Sequence, residues 1–285
     1  MNRRTRASYL CFLCVAFLYF PSELLAAPRS TIKAKSAIVM NADSGKILYI
    51  KNPDKPMPPA SLTKILTLYL VQEAMKAGKI KPADMIKISV EAQLTGGSTM
   101  YLVDDKEAAL EDLIKGIAVV SANDASVAVA EHLGGTCEKF VEIMNVKARA
   151  LGMKHSRFIN PHGLPAPGQV STARDILKLS RAYIRDFPEA LHIHSMQEYK
   201  YRDITQQNSN TLIKQQSDVD GLKTGFVRAA GFHLVATAKR ENIRLIAVVM
   251  GEKNIKIREK EAMQLLEDGF RKSTKKVKVL RRDKN

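Results

Sequence analysis

Residues 61–76 read SLTKILTLYLVQEAMK, and this stretch decides how the rest of the chain must be arranged. A proline-rich segment (residues 53–59) holds the chain extended before it, and Gly78 follows it. These signals predict one α-helix from about Ser61 to Lys76. Because its apolar residues lie nearly all round, we expect a central buried helix rather than a surface helix.

Strand-like patterns lie on both sides of this helix. Before it, two apolar runs between Ser36 and Asn52 are joined by an Asp/Gly turn at residues 43–46, which predicts a hairpin. The other predicted elements are helices over 109–132, 137–151 and 172–186, strands over 221–226, 232–238 and 243–250, and a final helix over 257–271. The pattern predicts an α+β fold, in which a five-stranded antiparallel sheet is built from both chain ends and covered by helices, with a helical subdomain in the middle.

Composition restricts the class of protein. A chain of 285 residues with 45% apolar residues can bury one substantial core. It has 45 Lys and Arg residues against 29 Asp and Glu residues. This excess of positive charge suits binding to nucleic acid, to an anionic membrane face or to an anionic wall polymer. The sequence has no RNP-like aromatic pattern, metal-finger spacing or compact basic recognition helix. We therefore expect no nucleic-acid partner.

The first 26 residues have the layout of a secretory signal peptide. A basic start is followed by an apolar run from Tyr9 to Phe20 and by small residues at the expected cleavage point after Ala26. The run is shorter than the roughly 20 residues of a membrane-spanning helix, although an uncleaved anchor stays open as the alternative. We expect export to the cell envelope, with the periplasm favoured. Cleavage leaves Cys137 as the single cysteine, so no internal disulfide is expected.

The expected organisation is a signal peptide (1–26), one domain (27–271) and a basic C-terminal tail (272–285). Two roles stay open for the tail, which carries six Lys and Arg between residues 275 and 284. It is either a solvated, mobile end or a peripheral contact to anionic lipid or wall polymer.

Ser61 and Lys64 are the first candidate catalytic pair. At a helix start, residues three apart share a face, so the Ser61 hydroxyl and the Lys64 amine can meet. A serine hydroxyl needs a neighbouring base, and lysine becomes one where burial and nearby positive charge lower its pKa. The same spacing recurs at Ser30–Lys33 and Ser273–Lys276. By itself the spacing therefore leaves open that Ser61 is only a helix N-cap.

Two further motifs carry groups that suit a peptide site. Ser121-Ala122-Asn123 interrupts a helical stretch and offers a hydroxyl for proton relay and an amide for a carbonyl, although a plain N-cap fits it too. Lys223-Thr224-Gly225 lies in a strand-like run, where Lys223 and Thr224 point to opposite faces and Gly225 permits close backbone approach. An ordinary edge turn is its alternative.

Taken in order, these three motifs resemble the signature of penicillin-binding proteins and class A β-lactamases. The sequence is similar to the low-molecular-mass penicillin-binding proteins, the D-alanyl-D-alanine carboxypeptidases of serine peptidase family S11, over roughly residues 34–271. The resemblance implies a β-lactamase/penicillin-binding-protein-like fold. It covers six stretches, at residues 59–64, 97–100, 160–164, 171–175, 220–225 and 230–232.

The resemblance also implies roles for individual residues. Ser61 would attack the penultimate D-alanine carbonyl and Lys64 would take its proton, while Ser121 and Asn123 relay protons and orient the peptide. Lys223 and Thr224 would hold the terminal carboxylate beside Gly225. The backbone N–H groups of Ser61 and Phe226 would form an oxyanion hole. Arg258 would face the substrate carboxylate, although a surface charge on the last helix is its alternative.

Two departures from the family pattern affect these expectations. Ala122 stands where glycine is usual, and we expect that methyl to be tolerated. Phe226 stands where histidine is frequent, which keeps a backbone donor but removes the histidine side chain. No E-x-x-L-N stretch lies between Ser121 and Lys223, so rapid β-lactam hydrolysis is not expected.

The function that the resemblance implies is removal of the terminal D-alanine from peptidoglycan pentapeptides, with β-lactams as inhibitors. The expected partners are peptidoglycan stem peptides, and no cofactor or metal is implied. A D-alanyl endopeptidase that cuts cross-links, and a non-catalytic penicillin- or wall-binding protein, stay open as alternatives.

Overall fold

A five-stranded antiparallel sheet runs through the computed structural model, in the order β2-β1-β9-β8-β7. The model describes residues 31–282, with side chains through residue 274, so the predicted signal peptide lies outside the described residues. The chain divides into two units, Met1–Ile32 and Lys33–Asn285, and the fold is that of the second. The nine strands are β1 (Ser36–Asn41), β2 (Ile47–Lys51), β3 (Met85–Lys87), β4 (Glu107–Ala109), β5 (Glu198–Tyr201), β6 (Ile204–Gln207), β7 (Val219–Val227), β8 (Gly231–Arg240) and β9 (Ile243–Glu252) within the described residues.

The sheet joins the two ends of the chain directly. The last strand, β9, pairs with the first, β1, in antiparallel register from Ser36↔Met250 to Asn41↔Leu245. Strands β8 and β9 are buried along most of their length, which accounts for their nearly continuous apolar sequences. The predicted α+β fold and five-stranded sheet are confirmed.

Helices cover the sheet and form the middle of the chain. They are α1 (Lys64–Lys76), α2 (Val90–Leu94), α3 (Leu110–Lys115), α4 (Asn123–Gly134), α5 (Cys137–Ala150), α6 (Ala173–Asp186), α7 (Leu191–His194), α8 (Leu212–Gln215) and α9 (Ile255–Arg282). Every residue of α1 from Lys64 to Gln72 is buried, so the prediction of a central helix is confirmed. None of these helices combines the length and apolar character needed to cross a bilayer.

The helical middle is more broken than its sequence pattern predicts. The helical stretch expected over 109–132, with an interruption at Ser121-Ala122-Asn123, consists of α3, a π-helical turn at Gly116–Val120, and α4. The interruption is confirmed, whereas the π-helical turn was not predicted. Two small two-stranded sheets, β3–β4 and β5–β6, were not predicted, because three- and four-residue strands carry little periodicity.

The final helix extends past its predicted end at Arg271. It runs to Arg282, and the Lys272 amine donates a hydrogen bond to the Leu48 carbonyl of β2 at 2.7 Å. The predicted helix end at Arg271 is therefore wrong, although residues 272 and 274 are exposed to solvent. The physical reason is that residues 270–282 contain no glycine or proline to end the helix, although they are rich in cations.

Candidate active site

A cleft of about 470 Å³ opens at the β7 edge of the sheet and brings the three predicted motifs together. It is lined by Ser61, Gly97, Ser98, Ser121, Asn123, Leu164, Ser209, Thr224, Gly225, Phe226, Phe232, Ile255 and Arg258. Seven of the nine predicted site residues line it directly. The other two, Lys64 and Lys223, are fully buried behind its wall.

Ser61 lies in a 3₁₀ turn (Ala60–Thr63) that leads into α1, where the N-cap position is Thr63. The interpretation of Ser61 as a mere N-cap is therefore wrong. The Lys64 amine is 3.0 Å from the Ser61 hydroxyl oxygen. Gly225 keeps the nucleophile's backbone accessible, because a Cβ on Gly225 would come within 3.2 Å of the Ser61 nitrogen and 3.1 Å of the Ala60 Cβ.

Lys64 is surrounded by groups that suit a neutral amine. Its Nζ donates to Asn123 Oδ1 and to the His162 carbonyl, each at 2.6 Å. In its neutral form the amine has two N–H groups, which these two acceptors can take, so that its lone pair is available for the Ser61 proton. Burial, and then the positive charge of Lys223, lower the pKa of Lys64 well below that of an ordinary lysine. The site therefore holds, beside the serine, an amine whose burial and lowered pKa suit it to accept a proton.

The loop at residues 160–168 supplies the His162 carbonyl, a contact that the sequence patterns do not identify. Thr67 Oγ1 donates to the Pro161 carbonyl at 2.6 Å and so ties this loop to α1. Gly163 has a φ of +92°, and a Cβ there would lie 1.9 Å from the Ala60 carbonyl oxygen. Only glycine fits so close to the nucleophile turn, and the Asn160-Pro161-His162-Gly163 composition was the available signal.

Ser121 and Asn123 face the cleft from the break between the π-helical turn and α4. Ser121 adopts the left-handed conformation, with a φ of 68° and a ψ of 32°. Such a conformation costs a non-glycine residue roughly 1–3 kcal/mol and is concentrated at functional sites. The N-cap of α4 is Ala122, with no side-chain cap hydrogen bond, so the N-cap interpretation of Ser121 is wrong. The Ala122 methyl is itself fully buried.

Asn123 is fixed in one orientation by its neighbours. Its Nδ2 donates to the Gly96 carbonyl at 2.6 Å while its Oδ1 accepts from Lys64. The adjacent carboxylate of Asp124 accepts from the backbone N–H groups of Met100 and Leu102, each at 3.1 Å. The segment Gly97–Met100, whose first two residues line the cleft, is thereby attached to the start of α4.

Strand β7 presents its motif as strand alternation predicts. Thr224 lines the cleft and donates to the Ser209 hydroxyl at 2.9 Å, whereas Lys223 is buried and does not line it, with its amine 3.4 Å from the Thr224 carbonyl oxygen. Burial, and then the Arg258 charge, lower the pKa of Lys223 to about 7. The motif is part of a nine-residue strand, so the edge-turn interpretation is wrong.

Arg258 is a buried cation on the cleft, not a surface charge. Its side chain is 3% exposed, and its Nη1 and Nη2 contact the His233 carbonyl at 3.4 Å and the Glu259 carboxylate at 3.2 Å. The Arg258 Nε is buried and has no hydrogen-bond partner. A positive group with an unused donor is suited to an anion entering the cleft.

Six residues that line the cleft have no assigned role in the sequence patterns. They are Gly97, Ser98, Leu164, Ser209, Phe232 and Ile255. Ser98 and Leu164 lie in stretches that match the family, but Ser209 is positioned by a long-range contact, its N–H donating to the Val119 carbonyl at 3.1 Å. Within residues 31–282, no group of three or more His, Cys, Asp or Glu side chains is arranged to hold a metal ion.

Comparison with known proteins places this cleft in a family. The D-alanyl-D-alanine carboxypeptidase DacC of Escherichia coli is 41% identical over 268 residues, which cover 90% of this chain and 67% of that protein. The structure of penicillin binding protein 5 from Haemophilus influenzae matches with a TM-score of 0.82 and 42% identity, covering 85% of this chain and 72% of the other. Penicillin-binding protein D2 of Listeria monocytogenes, in its ampicillin-bound form, matches with a TM-score of 0.76 and 31% identity, covering 83% of this chain and 97% of the other.

The chain spans between 61% and 67% of the length of the curated carboxypeptidase relatives. The model of the D-alanyl-D-alanine carboxypeptidase family, peptidase S11, matches residues 23–254. This match covers more than half of the chain and includes all three motifs. The chain therefore belongs to the D-alanyl-D-alanine carboxypeptidase family of serine peptidases, family S11.

Proposed function

We propose that this chain is a serine D-alanyl-D-alanine carboxypeptidase that removes the terminal D-alanine from peptidoglycan pentapeptides through an acyl-enzyme on Ser61. The observation that carries the proposal is the buried Lys64 amine, 3.0 Å from the Ser61 hydroxyl, with both of its N–H donors satisfied by other groups. A lysine so placed takes a proton, and a serine beside it becomes a nucleophile.

The reaction begins when Lys64 accepts the Ser61 proton and the Ser61 oxygen attacks the carbonyl carbon of the penultimate D-alanine. The oxyanion that forms is stabilised by the backbone N–H groups of Ser61 and Phe226. Ser121 passes a proton to the leaving nitrogen, the C–N bond breaks, and D-alanine departs. Water then attacks the Ser61 ester and releases the shortened peptide.

The C-terminal carboxylate of the substrate is held by groups that line the same cleft as Ser61, namely Thr224, Ser209 and Arg258. Arg258 contributes the charge and its free Nε, and the Thr224–Ser209 hydroxyl pair contributes hydrogen bonds. Lys223, which is buried close enough to Arg258 and Lys64 to interact with both electrostatically, adds positive charge to this part of the site. A site built for a free carboxylate favours a peptide end over an internal bond.

The same cleft explains why β-lactams would inhibit. A β-lactam carries an amide carbonyl near a carboxylate, so its opened ring would remain as an ester on Ser61. The ampicillin-bound relative supports this. A purely non-catalytic wall-binding role would not require a buried lysine amine aimed at a serine.

Peptidoglycan lies outside the inner membrane, so the proposed substrate requires export. We propose that residues 1–26 act as the signal peptide and that the enzyme works in the periplasm. The basic residues after 272 are proposed to make a peripheral contact with anionic lipid or wall polymer.

The test compares a stem pentapeptide with a cross-linked dimer, using wild-type enzyme and Ser61→Ala. We expect D-alanine release from the pentapeptide by the wild type only, with little cleavage of the dimer. Preferential cleavage of the dimer would indicate the endopeptidase instead. Equal activity of Ser61→Ala would rule out the proposed acyl-enzyme.

A further inference from the structure

An aromatic and aliphatic wall forms one side of the cleft. Phe226 and Phe232 lie directly opposite each other on β7 and β8, with ring centroids 4.4 Å apart. Ile255, the first residue of α9, completes the wall. Phe226 is 55% exposed and Ile255 is 46% exposed, although both line a cleft. Large apolar side chains exposed together in a groove indicate that a ligand covers them.

The wall lies beside the groups that receive the substrate carboxylate. Thr224 and Phe226 are two residues apart on β7, so their side chains share a face and lie about 7 Å apart along the strand. Ile255 and Arg258 are three residues apart on α9 and share a helix face. Both elements therefore place the wall next to the carboxylate site, on the side of the cleft that holds the leaving residue.

The leaving residue in the proposed reaction is D-alanine, whose side chain is one methyl group. A methyl group cannot cover two phenyl rings and an isoleucine. Because Arg258 carries positive charge beside this wall, a cationic side chain would be repelled there, whereas an uncharged aliphatic chain would bury apolar area.

We infer that Phe226, Phe232 and Ile255 form a subsite for the side chain of the released D-residue, and that it accepts unbranched apolar side chains longer than methyl. The inference rests on the proposed function, because it uses the same carboxylate site and the same scissile bond. It makes the enzyme an editor of stem peptides that end in apolar D-residues other than D-alanine.

The test uses three pentapeptides that differ only in the last residue, which is D-alanine, D-norleucine or D-lysine. Norleucine and lysine have side chains of similar length and differ in charge. We expect kcat/KM for D-norleucine to be about fivefold above that for D-alanine, from the added methylene contacts. We expect D-lysine to be about tenfold below D-norleucine.

A variant then locates the effect. Phe232→Ala should lower the ratio of kcat/KM for D-norleucine to that for D-alanine by about fivefold, and this ratio cancels any general loss of activity. Ile50→Ala is the matched control, because Ile50 is 56% exposed on β2 at the far edge of the sheet. Titration of Ser61 with penicillin gives the fraction of each preparation that is correctly folded.

Two results would overturn the subsite while leaving the proposed function intact. One is hydrolysis of the D-alanine peptide together with a lower kcat/KM for D-norleucine. The other is an unchanged ratio in Phe232→Ala. If the enzyme hydrolysed none of the three peptides, both the proposed function and the subsite would be overturned.

Discussion

At the scale of single residues, the site depends on one lysine being kept neutral. Lys64 is entirely buried, and charging its amine there means removing an ammonium ion from water beside a second buried cation, Lys223. The hydrogen bonds to Asn123 and His162 fix the direction of the amine without requiring its charge. Burial thus sets the chemistry of the pair, and the three-residue spacing sets only its geometry.

A prediction follows for the pH profile of acylation. Lys223 lowers the pKa of Lys64, so Lys223→Gln should raise that pKa and move the rising limb of the acylation rate to higher pH. The sign is fixed because Lys64 acts in its neutral form. The measurement is the second-order rate constant for a fluorescent penicillin between pH 5 and 10.

Lys106→Gln provides the control for this experiment, since Lys106 is exposed and lies outside the cleft. It should leave the midpoint of the rising limb unchanged. If the midpoint in Lys223→Gln stayed where it is in the wild type, or moved to lower pH, the electrostatic account of Lys64 would be wrong.

At the scale of elements, a buried histidine connects two strands to the turn that carries the nucleophile. His233 on β8 accepts at Nδ1 from the Gly251 N–H of β9, at 2.9 Å. Its Nε2–H donates to the Pro58 carbonyl at 3.1 Å, which fixes the chain just before Ser61. Both ring nitrogens are used in the neutral form, and protonation of Nδ1 would break the contact with Gly251.

This arrangement predicts sensitivity to acid. Burial lowers the pKa of His233 from 6.5 to about 4. The unfolded chain therefore binds a proton that the folded chain does not, so the stabilisation is complete above pH 6.5 and is lost as the pH falls towards 4. For this one group, the loss between pH 7.5 and pH 5 is about 2 kcal/mol in the free energy of unfolding.

Urea unfolding of the wild type and of His233→Gln, at pH 7.5 and at pH 5, measures the pH-dependent contribution of His233 to the free energy of unfolding. The variant should be less stable at pH 7.5 but should lose about 2 kcal/mol less on acidification, because glutamine does not titrate. His192→Gln, at an exposed histidine, should lose as much as the wild type. An equal loss in His233→Gln would contradict the assignment.

At the scale of the whole molecule, the sequence predicts the elements whose position is set by a local pattern of apolar and polar residues. Periodicity was enough for the β1–β2 hairpin, for strands β7 to β9 and for the burial of α1, since each depends on residues close in the chain. The three motifs were found because their spacing is local, and the resemblance supplied their common cleft.

Features set by distant contacts were not predictable in this way. The left-handed backbone at Ser121 follows a π-helical turn whose sequence reads as ordinary helix. The acceptor role of His162 belongs to a backbone carbonyl, which has no sequence signature. Ser209 enters the cleft through its contacts with Val119 and Thr224, residues on other elements. Lys272 was assigned to the tail because of its positive charge. The prediction overlooked that no glycine or proline ends the helix at this point.

The central claim is that these separate segments assemble around one acylable hydroxyl, and mass spectrometry after penicillin treatment tests it most directly. We predict one penicillin adduct per chain, located on the proteolytic peptide that contains Ser61 and absent from Ser61→Ala. An adduct on a different peptide, or an undiminished adduct in Ser61→Ala, would contradict the account.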